Sequence, residues 1–401
     1  MNTRDGDRLT PGAMIHTETL SGRQPRHSGL IQLNRRGLLA GGAGLLASPL
    51  LLSRAFAQTA PAAPAAAAPT GAAPGSAEIT VDRARTAPIP IAIPDLVAGG
   101  GDSAQLGRDI AGVITNNLVR CGLFRAIDPA AFIKDSGGDV PQFANWKVVG
   151  AQALVTGKVE SLGGDKVRVE FRLWDILPQA QIQGTAYTTT LSNWRRIAHI
   201  ISDVIYERLL GEKGYFDTRI CYIAGSGPKD RRVKRLAIMD QDGERNQFLT
   251  DGRFLVLSPR YHPTRDQIAF MSYQNDKPRV YLFDLGSGRQ TVLGNFQGIT
   301  LSPRFAPDGN SVVLSETNGP GADIWSVGLN GGAHRKLTNT GGAIDVSPCY
   351  SPDGTRIVFN SDRGGDQQLY VMGSDGSNVQ RISFGQARYA TPVWSPRGDQ
   401  T

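Results

Sequence analysis

The sequence predicts a small α/β N-terminal domain followed by an all-β propeller, both carried behind an export leader and a disordered tether. Three observations point there. From Tyr215 onward the chain repeats itself with a period of about 44 residues. Ahead of the repeats, two helix-period apolar patterns flank strands of alternating polarity. Near the N-terminus an uncharged apolar run follows two arginines. A length of 401 residues with 40% hydrophobic and 20% charged side chains leaves room for two or more domains, and 48 Gly and 24 Pro favour turn-rich β structure.

Residues 1–57 read as the leader. Arg35-Arg36 precede "GLLAGGAGLLASPLLL" (Gly37–Leu52), 16 residues without a charge. A membrane span needs about 20, so the run fits a signal-peptide core and the protein is not itself membrane-spanning. Ala55-Phe56-Ala57 supplies the small-x-small cleavage pattern, with cleavage after Ala57. The twin arginine and the Gly-diluted core resemble a Tat leader; Sec export stays open, and both routes lead to the periplasm. Residues 58–77 are the linker. Nine Ala and four Pro between Gln58 and Ser76 build no core and no lasting helix, giving a tether that reaches roughly 25 Å.

The α/β domain spans residues 78–212. "EITV" and "PIPIAIPDL" read as strands, and Asp102-Ser103 caps a helix carrying Leu106, Ile110, Val113, Ile114 and Leu118. "AQALVTGKVESL", "KVRVEFRLWDI" and "AQIQGTAYTTT" are consecutive strands, the first two joined by a turn at Gly163-Gly164-Asp165. A second helix carries Ile197, Ile200, Ile201, Val204, Ile205 and Leu209. "VAGGGDS" lacks both phosphate-loop patterns and reads as a loop entering a capped helix.

The propeller spans residues 213–401. "LSPRYHPTRDQIAFMSYQ", "LSPRFAPDGNSVVLSETN", "VSPCYSPDGTRIVFNSDR" and "ATPVWSPRGDQ" align without gaps. Pro259, Pro303, Pro348 and Pro392 stand 44, 45 and 44 residues apart. Each period holds four short strands, which is one blade, and an earlier copy starts near Phe216. About four and a fraction blades are present, so the sequence predicts an open ring with an unpaired edge.

Catalytic, metal and nucleic-acid readings are weak. Ser351, Asp353 and Arg356 invite a hydrolase reading, but Ser351 aligns with His262, Ala306 and Ser395, and Asp353 with Thr264, Asp308 and Arg397. Only the proline persists, as position i+1 of a type I turn. GxSxG and HExxH are absent, and the five histidines are scattered, with His262 in a turn and His334 on an outer strand both reading as solvated. Cys121, Cys221 and Cys349 lie far apart with no CxxC, the pattern of small buried side chains, with room for at most one disulfide. No metal site and no cofactor are expected. The net charge of +7 is concentrated in the leader, where seven Arg against three acids make +4, leaving +3 for the remaining 344 residues, with no basic block for nucleic acid.

The leader, the α/β domain with "RCGLFRAID" after its first helix, and blades carrying "SPRFAPDG", "SPCYSPDGTRIVFNSDRGGDQQLYVM" and "RKLT" resemble the TolB family, periplasmic propeller proteins of the Tol-Pal system. The resemblance covers about Glu78–Thr401. It implies a six-bladed ring, which at this period needs roughly another 80 residues. It also implies a non-enzymatic adaptor binding the Pal lipoprotein at the channel mouth and TolA through the segment after the leader. That adaptor supports outer-membrane invagination at division and outer-membrane integrity; other envelope proteins are possible further partners. In this chain the implied Pal contacts fall at Ile299, Thr300, Asp345, Val346, Tyr389 and Ala390, and the TolA segment at Glu78, Ile79, Thr80, Val81 and Asp82. The competing reading is an exported propeller-containing hydrolase of prolyl-oligopeptidase type, or a lyase, whose catalytic part lies beyond Thr401.

Overall fold

The structure is a computed structural model that describes residues 15–19, 87–100, 103–132, 140–275, 277–329 and 334–398. The leader core, Ala57, the tether, Glu78–Asp82 and Asp102 lie outside the described residues. Among the described residues, no helix is long and apolar enough to cross a membrane.

The α/β domain is built from β1 (His16–Thr19), β2 (Ile89–Ala92), β3 (Val97–Ala98), α1 (Ser103–Arg120), β4 (Phe124–Ala126), α2 (Phe143–Val148), β5 (Ala153–Gly163), β6 (Lys166–Asp175), β7 (Ala180–Thr190) and α3 (Trp194–Leu210). Its sheet runs β1-β7-β6-β5-β2-β4, with β3 also on β5. β5, β6 and β7 form an antiparallel meander, and β2 joins β4 and β5 in parallel. β6 shows the period-2 signal: Val167, Val169, Phe171 and Leu173 are buried while Arg168, Glu170 and Arg172 between them are not, and the pattern ends at Trp174, which is buried on the other face. That face takes the apolar stripes of both long helices, Ile110, Ile114 and Leu118 from α1 and Ile197, Ile201 and Ile205 from α3. Sequence periodicity found these helices and the meander. It missed β1, β3, β4 and α2, which are only two to six residues long, too short for a period to register. β1, the described part of the expected leader, pairs antiparallel with β7, and Glu18 reaches Arg168 at 2.8 Å.

Gly211, at φ 75°, ends α3 in the left-handed conformation that glycine adopts without strain. The connection that follows is clipped back onto the helix. The Asp203 carboxylate accepts from Phe216 N at 2.6 Å and Asp217 N at 3.0 Å, and the Phe216 ring packs edge-on against Tyr206.

Four antiparallel sheets follow. Blade 1 has three strands, Arg219–Ser226, Val233–Asp240 and Gln247–Phe248. Blade 2 runs Val256–Tyr261, Gln267–Asn275, Lys277–Asp284 and Gln290–Val292. Blade 3 runs Ile299–Phe305, Ser311–Asn318, Gly321–Gly328 and His334–Lys336. Blade 4 runs Val346–Tyr350, Arg356–Ser361, Gln368–Gly373 and Gln380–Arg381. The fifth copy, from Thr391, forms its turn without a regular strand.

The core of this part lies between blades. Leu236 and Ile238 of blade 1 pack on Ile268 and Phe270 of blade 2, and Val313 and Ile324 of blade 3 on Ile357 and Phe359 of blade 4. A fully buried Phe such as Phe270 or Phe359 contributes roughly 1.5–3 kcal/mol. Each blade therefore depends on its neighbour for its apolar cover.

Ser258, Ser302, Ser347 and Thr391, each just before a repeat proline, hold φ between 51° and 56°. The ladder slips at this point in blades 2, 3 and 4. Each inner strand thus carries a bulge that re-aims the residue after the proline.

The turn after each inner strand stitches to the next blade. His262 is buried there, which corrects the expectation that it is solvated: its exposure is 4%. Nδ1 accepts from Thr264 N and Arg265 N, so Nε2 carries the proton and donates to Gly309 O at 2.9 Å. Burial pushes the imidazole below its usual pKa, with Arg265 adding to the effect. Gly309 sits at φ 71°, and a Cβ there would lie 2.4 Å from the His262 ring, so glycine is required on both counts. His334 is exposed, as expected, and stacks on Phe296.

Candidate partner-binding face

The two ends of the blades differ. At one end lie the turns after the inner strands and the turns after the third strands. The α/β domain packs at this end, against Asp240–Asp242 of blade 1. At the other end the chain enters the inner strands through residues 249–255, 293–298, 337–345 and 382–389, forming the channel mouth.

Two of the mouth loops, 293–298 and 337–345, are pinned by charged side chains behind them. Glu316, itself buried, accepts from Gly298 N at 3.0 Å, and the Arg279 guanidinium donates to Gly298 O. Asp362 accepts from Ile344 N at 2.7 Å, and Arg363 donates to Asp345 at 2.8 Å. A backbone held this way presents its outward side chains in one arrangement.

The sequence-derived mouth residues divide on inspection. Ile299 is exposed at 37%, Ala390 is exposed, and Val346 and Tyr389 are half-buried. Thr300 and Asp345 are corrected: both are 0% exposed. Thr300 Oγ1 accepts from Val280 N at 2.8 Å, and the Asp345 carboxylate is tied to Arg363. Along a strand successive side chains alternate faces, so the residue after an outward Ile299 turns inward. Sequence reading placed the loop and not the facing.

It also missed two residues. Leu255 and Ile344 stand, like Ile299, four residues before the repeat proline, and they are 40% and 38% exposed. Three successive blades thus present an aliphatic side chain at the same place on the rim. The signal was in the repeat alignment, extended one residue upstream of the turn.

The hydrolase reading of Ser351 fails on geometry as well as on alignment. Its buried Oγ donates to Asp353 Oδ1 at 2.5 Å and accepts from Arg356 N at 3.0 Å. That hydroxyl, with Thr355, holds the Asp353 carboxyl down at about 2. This is a closed turn with its polar atoms satisfied.

The model of the TolB amino-terminal domain matches residues 77–182, and that of the TolB β-propeller domain matches residues 206–401. The Tol-Pal system protein TolB of Gluconobacter oxydans (strain 621H) is 56% identical over 368 residues, 91% of this chain and 76% of that protein. The chain belongs to the TolB family. The crystal structure of TolB from Acinetobacter baumannii superposes with a TM-score of 0.63 at 27% identity, over 78% of this chain and 75% of that one. The chain is accordingly a Tol-Pal component with an α/β domain and a β-propeller.

At the junction of the two domains the structure assembles a polar cluster that the scattered histidines did not foretell. His199 of α3 lies 3.6 Å from Asp240 and 3.7 Å from Asp242. Arg195 pairs with Asp242 at 2.5 Å, and Arg245 with Asp240 at 2.7 Å. Asn117 of α1 donates to Ser202 Oγ at 3.0 Å and accepts from Gln241 at 2.8 Å. Its second N–H faces His199 Nδ1 at 2.9 Å, which leaves the imidazole proton on Nε2, toward the carboxylates. Burial raises the Asp240 carboxyl, but His199 and Arg245 more than offset this and its pKa is lowered. His199, Asp240 and Asp242 have the donor atoms of a metal site. The two guanidiniums already balance the two carboxylates, so the cluster acts as an interdomain ion-pair lock.

Proposed function

We propose that this protein is a non-enzymatic periplasmic adaptor of the Tol-Pal system, binding Pal at the channel mouth and TolA through Glu78–Asp82. In this role it supports outer-membrane invagination during division and outer-membrane integrity. The observation that carries the reading is the aliphatic rim of Leu255, Ile299 and Ile344, the latter two at pinned loops, at the end of the blades away from the α/β domain. Exposed apolar side chains arranged together mark a protein-docking surface, and the pinned backbone reduces the ordering cost of binding. Ile299, Val346, Tyr389 and Ala390 remain in the proposed contact, joined by Leu255 and Ile344. Thr300 and Asp345 support it from behind. Against an exported hydrolase or lyase stands the purely structural role of Ser351, the most suggestive nucleophile in the chain.

The test is binding of purified Pal to the full chain and to Ile299→Asp and Ile344→Asp variants. A buried charge at a docking centre is expected to weaken binding by about 10-fold or more while melting temperature stays within about 1 °C of wild type. Unchanged Pal affinity in both variants overturns the assignment of this face. Failure of the wild-type chain to bind Pal at all overturns the adaptor reading.

A further inference from the structure

We infer that the channel wall carries an oxyanion site formed by Arg260, Arg304 and Trp394, toward the turn end of the inner strands and apart from the aliphatic rim. The first observation is positional. The residue after the repeat proline is Arg260 in blade 2, Arg304 in blade 3, Cys349 in blade 4 and Val393 in the fifth copy. The bulge at the preceding serine aims this position, and Arg260, Arg304 and Cys349 all line one cavity of about 230 Å³. Tyr261, Phe305, Tyr350 and Trp394 form much of the rest of its wall, and among the described residues no Asp or Glu lines it.

The second observation concerns unsatisfied groups. Arg260 Nη1 donates only to the carbonyl of its own neighbour Pro259, at 3.0 Å, and its buried Nε has no acceptor. The Arg304 backbone pairs with Val313 in the ladder, while its side chain makes no hydrogen bond or ion pair with any described residue. The indole N–H of Trp394, a residue 8% exposed, is likewise buried without an acceptor. Arg356 lies over the same indole, its guanidinium carbon 4.7 Å from the ring centre. The two buried atoms without partners at the cavity, Arg260 Nε and Trp394 Nε1, are both donors, and the arginine charges there share one sign.

Such an arrangement is costly unless an acceptor of opposite charge completes it. Burial, and for Arg304 the neighbouring Arg260, hold both guanidiniums below the usual arginine range. Arginine stays charged regardless, so the repulsion cannot be relieved by losing a proton. A planar or tetrahedral oxyanion answers each deficit at once. Its oxygens accept from two guanidinium forks and from the indole N–H, and its charge offsets theirs. The ligand class is thus a carboxylate or a phosphate, from a free ion or from an acidic group on a partner.

The experiment titrates the full chain with inorganic phosphate and, separately, with acetate, at constant ionic strength set by chloride, following melting temperature and indole emission. At least one of the two is expected to saturate, raising the melting temperature. Saturation by phosphate alone identifies a tetrahedral oxyanion, and saturation by acetate, alone or with phosphate, a site that takes carboxylate. Arg304→Gln is expected to weaken half-saturation by about 10-fold or more, as loss of a charged hydrogen bond does. Arg108→Gln, at an exposed arginine on α1 of the α/β domain, is expected to leave it unchanged. The Arg260→Gln, Arg304→Gln double variant removes like charges and should be at least as stable as wild type in chloride. If that variant does not fold, Trp394→Phe, which deletes only the donor and its ring, is expected to weaken half-saturation as well. No saturable response to either anion, or responses in these variants equal to wild type, overturns the site.

Discussion

Replacing Thr300 with valine separates a structural role from a binding role at the channel mouth. Val280 N, in the third strand of blade 2, is buried and donates to Thr300 Oγ1 at 2.8 Å. In the other blades the equivalent amide finds its acceptor within its own blade: Leu236 N on Thr250, Ile324 N on Thr338 and Leu369 N on Ser383, always 14 residues ahead. In blade 2 that position is Gly294, which has no hydroxyl, and Thr300 of blade 3 supplies one instead. Valine matches threonine in shape but leaves the Val280 amide unpaired, at a cost of about 1–3 kcal/mol. For a unit of this size the melting temperature should fall by roughly 2–4 °C per kcal/mol. Differential scanning calorimetry on wild type, Thr300→Val and Thr300→Ser measures this, with serine expected to retain most of the stability. Pal affinity should change little at temperatures where the variant is folded. An unchanged melting temperature together with lost Pal binding would refute the buried-acceptor reasoning and restore Thr300 to the contact surface.

Two further outcomes follow from buried groups. His262 has a folded pKa below its unfolded value of 6.5, so the unfolded chain takes up a proton first as pH falls. Its stabilising contribution is complete above that unfolded value and is lost as pH drops toward the lower folded pKa, so the acid side of a stability profile should be shallower in His262→Gln. Asp242→Ala strips Arg195 of α3 of its partner in blade 1, 2.5 Å away, and removing one member of a buried pair costs about 3–5 kcal/mol. Because this pair joins the domains, calorimetry should show the loss as earlier uncoupling of the α/β domain from the propeller; a single unshifted transition would count against the lock.

The propeller was legible because its repeat carries redundant information. A gap-free spacing of prolines gave the blades, the turns and the emptiness of the Ser351 motif in one step. Alternation over Val167–Leu173 in β6 and the 3.6-residue stripes of α1 and α3 gave the α/β core for the same reason, since each period repeats often enough to rise above chance. The mouth was legible as a place, because loops entering inner strands must gather at one end. Which of its residues face out was not, and Ile299 beside Thr300 shows why: facing depends on one residue of register, and on which neighbour lacks a hydroxyl.

By itself the sequence determined the order of the domains, the number of repeats, the turn chemistry and the family. The tertiary structure alone decided what lies across gaps of tens of residues. It brought His199 to Asp240 and Asp242 from 41 and 43 positions away, buried His262 against the next blade's Gly309, and left Arg260 and Arg304 on one wall with no acid between them. Local pattern reports what a residue does to its own backbone. Charge pairing and burial are properties of neighbours, and the neighbours are chosen by the fold.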